Sequence, residues 1–299
     1  MKTDRTARDS ILTMLAPVVW GSTYLITTEL LPPDRPLLAS VVRALPAGIV
    51  LVLIGRALPV GIWWWRAIVL GILNIGAFFY FLFVAAYHLP GGVAALVGSV
   101  QPVLVLLLGV PLLAARIHVA QVLSCVLGAV GVGLLVLQPQ ADLDLVGVLA
   151  GLAGAGSMAT GMVLTKRWGR PTGVGLLTFT GWQLTVGGAV LLPFMFVSEG
   201  LPDGVTARNV SGFVYLSVVG ALVAYAVWFR GLERLPALTV SFLSFASPLA
   251  ATMLGYLVLG QSLSAGQLLG AAIVITAVML AQQRKAAPVP ASATPTVVA

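Results

Sequence analysis

The chain has 299 residues, of which 59% are hydrophobic and 8% are charged, and its formal net charge is +7. A soluble domain typically carries about 25% charged residues, so this composition excludes an ordinary water-facing surface and indicates a membrane protein. The basic residues stand singly between apolar stretches, which argues against a nucleic-acid-binding face. The single cysteine, Cys125, excludes an intramolecular disulfide.

Residues 1–10 are polar and basic, and the apolar stretch that follows lacks a small-residue cleavage site, so we interpret it as an uncleaved first helix. A spanning helix needs about 20 mostly apolar residues. Ten stretches qualify, and they are too long and uniformly apolar for barrel strands. We therefore predict an all-α integral membrane protein, with short connections and a disordered tail over 283–299. The ten predicted helices cover 11–30, 37–55, 67–87, 92–114, 119–137, 145–165, 174–197, 210–230, 236–259 and 263–282.

The distribution of basic residues predicts the orientation, because Lys and Arg are enriched in cytoplasmic loops. With the N-terminus inside, the outside segments hold only Arg35 and Arg208, and Arg43 falls within a span. All the other basic residues lie in inside segments. This asymmetry supports the helix count and predicts that both termini are cytoplasmic.

An internal repeat divides the predicted helices into two halves, residues 11–137 and 145–282. Matched residues in the later helices of the two halves are 146 positions apart in sequence. Near the start of each half the separation is slightly smaller, and there Arg43 corresponds to Gln183. Because five helices is an odd number, the second half must enter the membrane from the opposite side. Inverted repeats of this kind are typical of transporters with a site near the midplane. The matched segments are Gly21-Ser22 with Gly156-Ser157, Leu89-Pro90 with Leu235-Pro236, and Gln101-Pro102 with Ser247-Pro248.

Polar and aromatic side chains within the predicted helices are candidates for the transport path, because such groups in lipid usually face a cavity or another helix. Each Ser or Thr could instead bond its own backbone or a neighbouring helix, and Trp or Tyr could anchor at the interface. Pro102 and Pro248 free carbonyls one turn earlier, so their equivalence predicts a hinge or gate. The candidates for substrate binding are Trp20, Thr23, Tyr24, Tyr80, Gln101, Ser157, Trp182, Gln183, Tyr225 and Ser244.

Arg43 lies about 9 Å of helix rise from the outer end of its predicted span. Its guanidinium could bind a substrate carboxylate. It could alternatively snorkel to the outer surface, or pair with Glu29 or Asp34.

Several absences narrow the function. No Asp or Glu falls at the middle of a predicted span, and both histidines lie at span edges. Proton-coupled carriers usually need a buried carboxylate or histidine, so we predict uncoupled, gradient-driven transport. The sequence contains no P-loop, zinc pattern or recognisable triad, which argues against an ATP-driven pump or an enzyme and predicts no cofactor or metal.

The segment Ala16-Pro17-Val18-Val19-Trp20-Gly21-Ser22, with the paired Leu-Pro…Pro segments and the two five-helix halves, resembles the EamA family of the drug/metabolite transporter superfamily. The resemblance covers 11–282, and within the family the chain is similar to bacterial aromatic amino acid exporters. It implies a central cavity walled by helices one, three, four, six, eight and nine, and export of amino acids or related metabolites across the inner membrane. On matching positions it places near the substrate Trp20, Tyr80, Gln101, Ser157, Tyr225 and Ser244.

The alternative is a proton-coupled carrier of a drug or metabolite, or a carrier of a nucleotide-sugar. A nucleotide-sugar would favour several basic residues in the cavity, and a cationic drug would favour a buried carboxylate. A membrane enzyme or receptor would need clustered acid/base groups or long cytoplasmic loops, and the sequence has neither. The expected partners are a small-molecule substrate and the lipid bilayer, without nucleic acid, and a monomer is plausible.

Overall fold

The computed structural model describes residues 2–89, 91–136, 144–202, 204–259 and 264–282. These segments form helices with short connections, which confirms the predicted all-α class. The predicted tail over 283–299 lies outside the described residues. The helices are α1 (Lys2–Gly21 and Thr23–Leu30), α2 (Pro36–Gly55), α3 (Trp63–His88), α4 (Gly91–Gly98 and Gln101–Leu113), α5 (Val119–Val136), α6 (Leu145–Trp168), α7 (Leu176–Ser198), α8 (Ala207–Arg234), α9 (Ala237–Leu243 and Ala246–Leu259) and α10 (Ala265–Gln282).

The helices have the length and surface of a membrane bundle. Within the described ranges, eight stretches are long and apolar enough to cross a membrane, while the apolar parts of α5 and α10 are shorter. Large apolar side chains such as Leu53 and Val197 are exposed, which suits a surface in contact with lipid. The helix α1 begins at Lys2 rather than at residue 11, because the polar first residues continue the same helix.

One end of the bundle, which we call the basic end, is defined by ion pairs of arginines on α8 and after α6. Asp9 of α1 pairs with Arg230 and Arg234 at the end of α8, at 2.8 and 3.5 Å. Arg170, just after α6, pairs with Glu233 of α8 at 2.6 Å. Helix α1 therefore begins, and α6 and α8 end, at the basic end.

The opposite end of the bundle holds a second set of ion pairs. His88 at the end of α3 contacts Asp144, directly before α6, at 2.8 Å, and Glu29 of α1 pairs with Arg208 of α8 at 3.1 Å. Asp144 also accepts a hydrogen bond from the N–H of Val146 and so caps α6. The hydrogen bond from His88 lowers the pKa of the Asp144 carboxyl. Because α1 ends and α6 begins here, the two halves run in opposite directions, as predicted.

The packing between the halves follows the same symmetry. Helix α2 packs along α7 and α5 along α10, while α3 packs on α6 and α8 on α1. Exchanging the two halves converts the α2–α7 and α5–α10 contacts into themselves, and it converts the α3–α6 contact into the α8–α1 contact. Close approach at the α2–α7 contact needs glycine. A Cβ atom on Gly48 would lie 2.3 Å from the backbone nitrogen of Thr185, and one on Gly188 would lie 2.8 Å from that of Leu45.

Several helices are interrupted where the bundle centre lies. Helix α1 breaks at Ser22, α4 breaks at Ser99, and α9 breaks at Ser244. Pro102 and Pro248 each lie in the first turn of the segment that follows a break. Two π-helical segments, Ile72–Gly76 in α3 and Val218–Val223 in α8, begin 146 residues apart, at the offset of the sequence repeat. Breaks and π-helical segments release carbonyls from the regular helical ladder.

Asn74, in the π-helical segment of α3, connects three helices. Its Nδ2 donates to Gln183 Oε1 on α7 at 2.8 Å and to Thr165 Oγ1 on α6 at 3.0 Å, and all three side chains are buried. These contacts hold α3, α6 and α7 together without any charged group.

We expect Asn74→Leu to destabilise the folded protein by about 1 kcal/mol, because it leaves the Gln183 oxygen without this donor. The measurement is the melting temperature of the purified protein in detergent. The matched control is Thr276→Val, since among the described residues the Thr276 hydroxyl bonds only the carbonyl of Ala272 in its own helix. Equal melting temperatures for Asn74→Leu and the wild type would contradict this role.

Candidate functional site

A cavity of about 100 Å³ lies at the centre of the bundle, between the two halves. A water molecule needs about 10–15 Å³ of accessible cavity volume, so the cavity can hold several waters or a small organic solute. Its walls come from α1, α2, α3 and α4 of the first half and from α6, α8 and α9 of the second. The lining residues are Trp20, Thr23, Tyr24, Arg43, Phe78, Leu82, Gly98, Ser99, Gln101, Met158, Trp228, Ser244, Phe245, Ser247 and Pro248.

Helix breaks bring polar groups into this cavity. The hydroxyl of Ser99 donates to the carbonyl of Leu96 at 2.6 Å, and that of Ser244 donates to the carbonyl of Ser241 at 2.5 Å. Each hydroxyl oxygen keeps lone pairs with which it can accept a hydrogen bond. Gln101 donates to Met162 Sδ at 3.0 Å, and sulfur is a weak acceptor, so its amide remains available to a solute.

An aromatic cluster forms one wall. The Trp20 ring lies 4.8 Å from the Tyr225 ring and 5.0 Å from the Trp228 ring, between ring centroids. The Tyr225 ring in turn lies 5.6 Å from that of Phe79. Tyr225 and Trp228 are fully buried, and their contacts fix the position of the Trp20 ring. Such a wall suits contact with an apolar or aromatic side chain of a solute.

Arg43 is 1% exposed and lies in the cavity wall, so it does not snorkel to the surface. Its Nη2 donates to the carbonyl of Gly220 at 3.2 Å and its Nη1 to Thr23 Oγ1 at 3.5 Å. The guanidinium carbon stands 4.4 Å from the Phe79 centroid, a cation–π contact. Trp20 Nε1 donates to the same Gly220 carbonyl at 2.9 Å.

No carboxylate neutralises Arg43 within the part of the chain that the structure describes. Glu29, one of the partners considered from sequence, pairs with Arg208, and Arg43 takes part in none of the ion pairs found there. Among the described lining residues, Arg43 alone carries a charge. The cavity is therefore electropositive and otherwise neutral.

The structure brings together a subset of the residues selected from sequence. Seven of them line the central cavity, and they come from α1, α2, α4 and α9. These residues are Trp20, Thr23, Tyr24, Arg43, Gln101, Ser244 and Pro248.

The other selected residues lie outside the lining. Ser157 donates to the carbonyl of Leu73 at 2.8 Å, and Trp182 Nε1 donates to that of Ala57 at 2.8 Å. Tyr80 packs against the apolar contact between α2 and α7. The remaining three are Gln183, which accepts from Asn74, Tyr225, whose ring contacts that of Trp20, and Pro102, which is buried in α4.

Eight of the lining residues are not in the set selected from sequence, and they include the apolar residues Leu82, Met158 and Phe245. Their type alone does not separate a cavity wall from a helix interface or a lipid contact, because all three environments accept apolar side chains. Phe245 and Met158 could have been found from their positions next to Ser244 and Ser157, whereas both sequence neighbours of Leu82 are phenylalanines that were not selected.

A second cavity of about 200 Å³ lies at the basic end, among α6, α7 and α8. Its charged groups are already satisfied. Lys166 Nζ donates to the carbonyls of Leu232, Glu233 and Leu235 at 2.9–3.1 Å, and Arg170 pairs with Glu233. This cavity therefore offers less to a solute than the central one. Over the described residues, no group of three potential metal ligands occurs.

Comparison with known proteins gives one consistent result. The EamA-like transporter family matches residues 9–137 and 145–282. Protein PecM of Dickeya dadantii is 51% identical over 267 residues, which cover 89% of this chain and 90% of that protein. A probable amino-acid metabolite efflux pump of Escherichia coli is 26% identical over 90% of this chain and 93% of its own length. A solved crystal structure with 20% identity shares the fold, with a TM-score of 0.77 over 92% of this chain and 96% of the other.

Proposed function

Because this chain belongs to the EamA-like transporter family, we propose that it exports amino acids or similar small amphipathic metabolites by alternating access. The observation that carries the proposal is the central cavity, which both halves of an inverted repeat enclose. The substrate enters from the cytoplasm, and the protein lies in a bacterial inner membrane with its termini cytoplasmic. Because the cavity is enclosed by one chain, a monomer suffices. The similarity to a probable amino-acid metabolite efflux pump supports this substrate class and direction.

The chemistry of the cavity suits a zwitterion with an apolar side chain. The aromatic wall formed by Trp20 and Trp228 contacts the side chain. The oxygens of Ser99, Gln101 and Ser244 accept hydrogen bonds from an ammonium group. Few fixed charges constrain the solute, so several neutral amino acids are accommodated.

Transport in this proposal follows the substrate gradient. The carboxylates that pair at the two ends of the bundle, such as Asp9 and Asp144, lie away from the cavity. None of the described lining residues is an Asp, a Glu or a His. A cavity without such a group has no obvious proton carrier.

The ion pairs at the two ends supply an alternating gate. By the repeat, His88 corresponds to Arg234 and Asp144 to Asp9. The His88–Asp144 contact joins α3 to α6 at the opposite end, and the Arg234–Asp9 contact joins α8 to α1 at the basic end. Equivalent contacts therefore close equivalent helix pairs at opposite ends. Each must release when its own end opens.

We expect Asp144→Asn and Asp9→Asn to shift access to the cavity in opposite directions. In a Cys125→Ser background, a Ser99→Cys reporter is labelled from the outside with a membrane-impermeant thiol reagent. Asp144→Asn weakens the His88–Asp144 contact, which lies at the outer end in this proposal, and speeds labelling of the reporter several-fold. Asp9→Asn slows that labelling. A labelling rate that changes in the same direction in both variants, or that changes in neither variant, would rule out this gate.

The proposed function is tested by uptake into liposomes that contain the purified protein. Labelled phenylalanine and alanine are supplied without a proton or sodium gradient. Saturable uptake that unlabelled phenylalanine, methionine or threonine competes away supports an uncoupled amino acid carrier. Uptake that occurs only with an imposed proton gradient contradicts the uncoupled mechanism. No uptake by folded protein in either condition contradicts the substrate class.

A further inference from the structure

The two halves of the repeat differ at two buried positions that contact each other. Asn74 is the third residue of the π-helical segment in α3, and Gly220 is the third residue of the equivalent segment in α8. Gln183 of α7 corresponds to Arg43 of α2. In one half Asn74 therefore donates to Gln183, whereas in the other half the equivalent of Asn74 has no side chain.

The missing side chain leaves Arg43 incompletely bonded. A Cβ atom built on Gly220 would lie 3.7 Å from Arg43 Nη2 and 3.8 Å from Nε, at ordinary van der Waals distance. There is thus room for an atom beside the guanidinium where Asn74 stands in the other half. A guanidinium has five N–H donors, and among the described residues Arg43 uses only two long hydrogen bonds.

Further donors around the cavity also lack an acceptor. The buried atoms Arg43 Nε, Trp228 Nε1 and Tyr225 Oη have no hydrogen-bond partner in the described part of the chain. Two of these groups are donors only, and a tyrosine hydroxyl can donate. Unmet buried donors are costly, and an uncompensated charge in a membrane is more so. The ligand that satisfies this set is an acceptor with negative charge.

We propose that the space between Arg43 and Gly220 is a subsite for the carboxylate of the transported solute, so that the protein selects carboxylate-bearing solutes and rejects amines that lack one. The carboxylate takes the place that the Asn74 amide fills in the other half, and accepts hydrogen bonds from Arg43. The inference rests on the proposed function for its physiological meaning, but binding at the subsite is measurable without transport.

The test compares three probes that share one ring: phenylalanine, phenylacetate, which lacks the amine, and phenethylamine, which lacks the carboxylate. Binding is measured as the ligand-dependent rise in melting temperature of the purified protein. We expect phenylalanine and phenylacetate to bind at least tenfold more tightly than phenethylamine. Equal or tighter binding of phenethylamine, or no binding of any probe, would overturn the subsite.

Gly220→Asn provides the sharpest variant, because it restores the side chain found in the equivalent position and fills the subsite. We expect it to fold, and to lose at least tenfold in phenylacetate affinity. The matched control is Gly156→Asn, since a Cβ atom there meets no atom within 4 Å and Gly156 does not line the cavity. Wild-type affinity in Gly220→Asn would overturn the proposal. If Gly220→Asn fails to fold, the milder Gly220→Ala and the probe comparison on the wild type decide the question.

The two proposals fail in different ways. Carboxylate-selective binding without uptake of amino acids would leave the subsite intact and contradict the proposed function. Uptake that phenethylamine inhibits as well as phenylacetate would support a carrier and contradict the subsite.

Discussion

Trp20→Ala is expected to reduce transport at least tenfold while leaving a folded protein. Trp20 lines the cavity, and its ring packs on Tyr225 and Trp228. Removing it deletes the surface that we propose contacts the solute, and it removes the hydrogen bond from Nε1 to the Gly220 carbonyl. That carbonyl also accepts from Arg43, so the guanidinium gains freedom to move. Initial uptake rates in liposomes measure the effect.

Two variants separate the causes. Trp20→Phe keeps a ring but lacks the N–H, so an intermediate rate assigns part of the effect to the hydrogen bond. Trp64→Ala removes a tryptophan whose side chain is 52% exposed near the start of α3, away from the cavity, and is expected to transport normally. Transport at the wild-type rate by Trp20→Ala would contradict the placement of the substrate against this wall.

Gly48→Leu is expected to prevent folding of the bundle. The added Cβ alone would lie 2.3 Å from the backbone nitrogen of Thr185, and backbone cannot move aside as a flexible side chain can. Overpacking typically costs about 1–3 kcal/mol, and a clash with backbone along the whole α2–α7 contact exceeds that range. The readout is the loss of the monodisperse peak in size-exclusion chromatography after extraction in detergent.

The control for this prediction is Gly156→Leu, because a Cβ at Gly156 meets nothing within 4 Å. It is expected to elute as the wild type does. A monodisperse Gly48→Leu protein with wild-type melting temperature would show that the α2–α7 contact is looser than described, and would weaken the account of how Arg43 is positioned.

Hydropathy and the internal repeat were sufficient to predict most of the fold. Apolar length identifies spans because lipid requires backbone hydrogen bonds to be made within the helix. The repeat predicted the opposed halves, and the equivalence of Pro102 and Pro248 marked the regions of the breaks in α4 and α9. The π-helical segments were not predicted, because Ile72–Gly76 and Val218–Val223 carry no residue that forces the insertion.

The site was harder to predict, because a polar residue in a membrane helix has several ways to be satisfied. Ser157 and Ser244 are the same residue type inside apolar helices, yet Ser157 bonds a neighbouring helix and Ser244 lines the cavity. The rotation of each helix about its axis decides between these outcomes, and it depends on packing against helices distant in sequence. Arg43 was recognisable as unusual, but its acceptor, the Gly220 carbonyl, is set by the π-helical segment of α8.

The most direct test of the central claim, that this chain is a carrier with a cavity that opens to each side in turn, is counterflow. Liposomes loaded with unlabelled phenylalanine are diluted into a trace of labelled phenylalanine, with no proton or sodium gradient. In an alternating carrier, each outward step with unlabelled phenylalanine is followed by a return step that brings labelled phenylalanine inward. We therefore predict that labelled phenylalanine accumulates transiently inside the liposomes above its external concentration. Equilibration without that overshoot, by protein that is folded and takes up phenylalanine, would indicate an open pore and contradict the account.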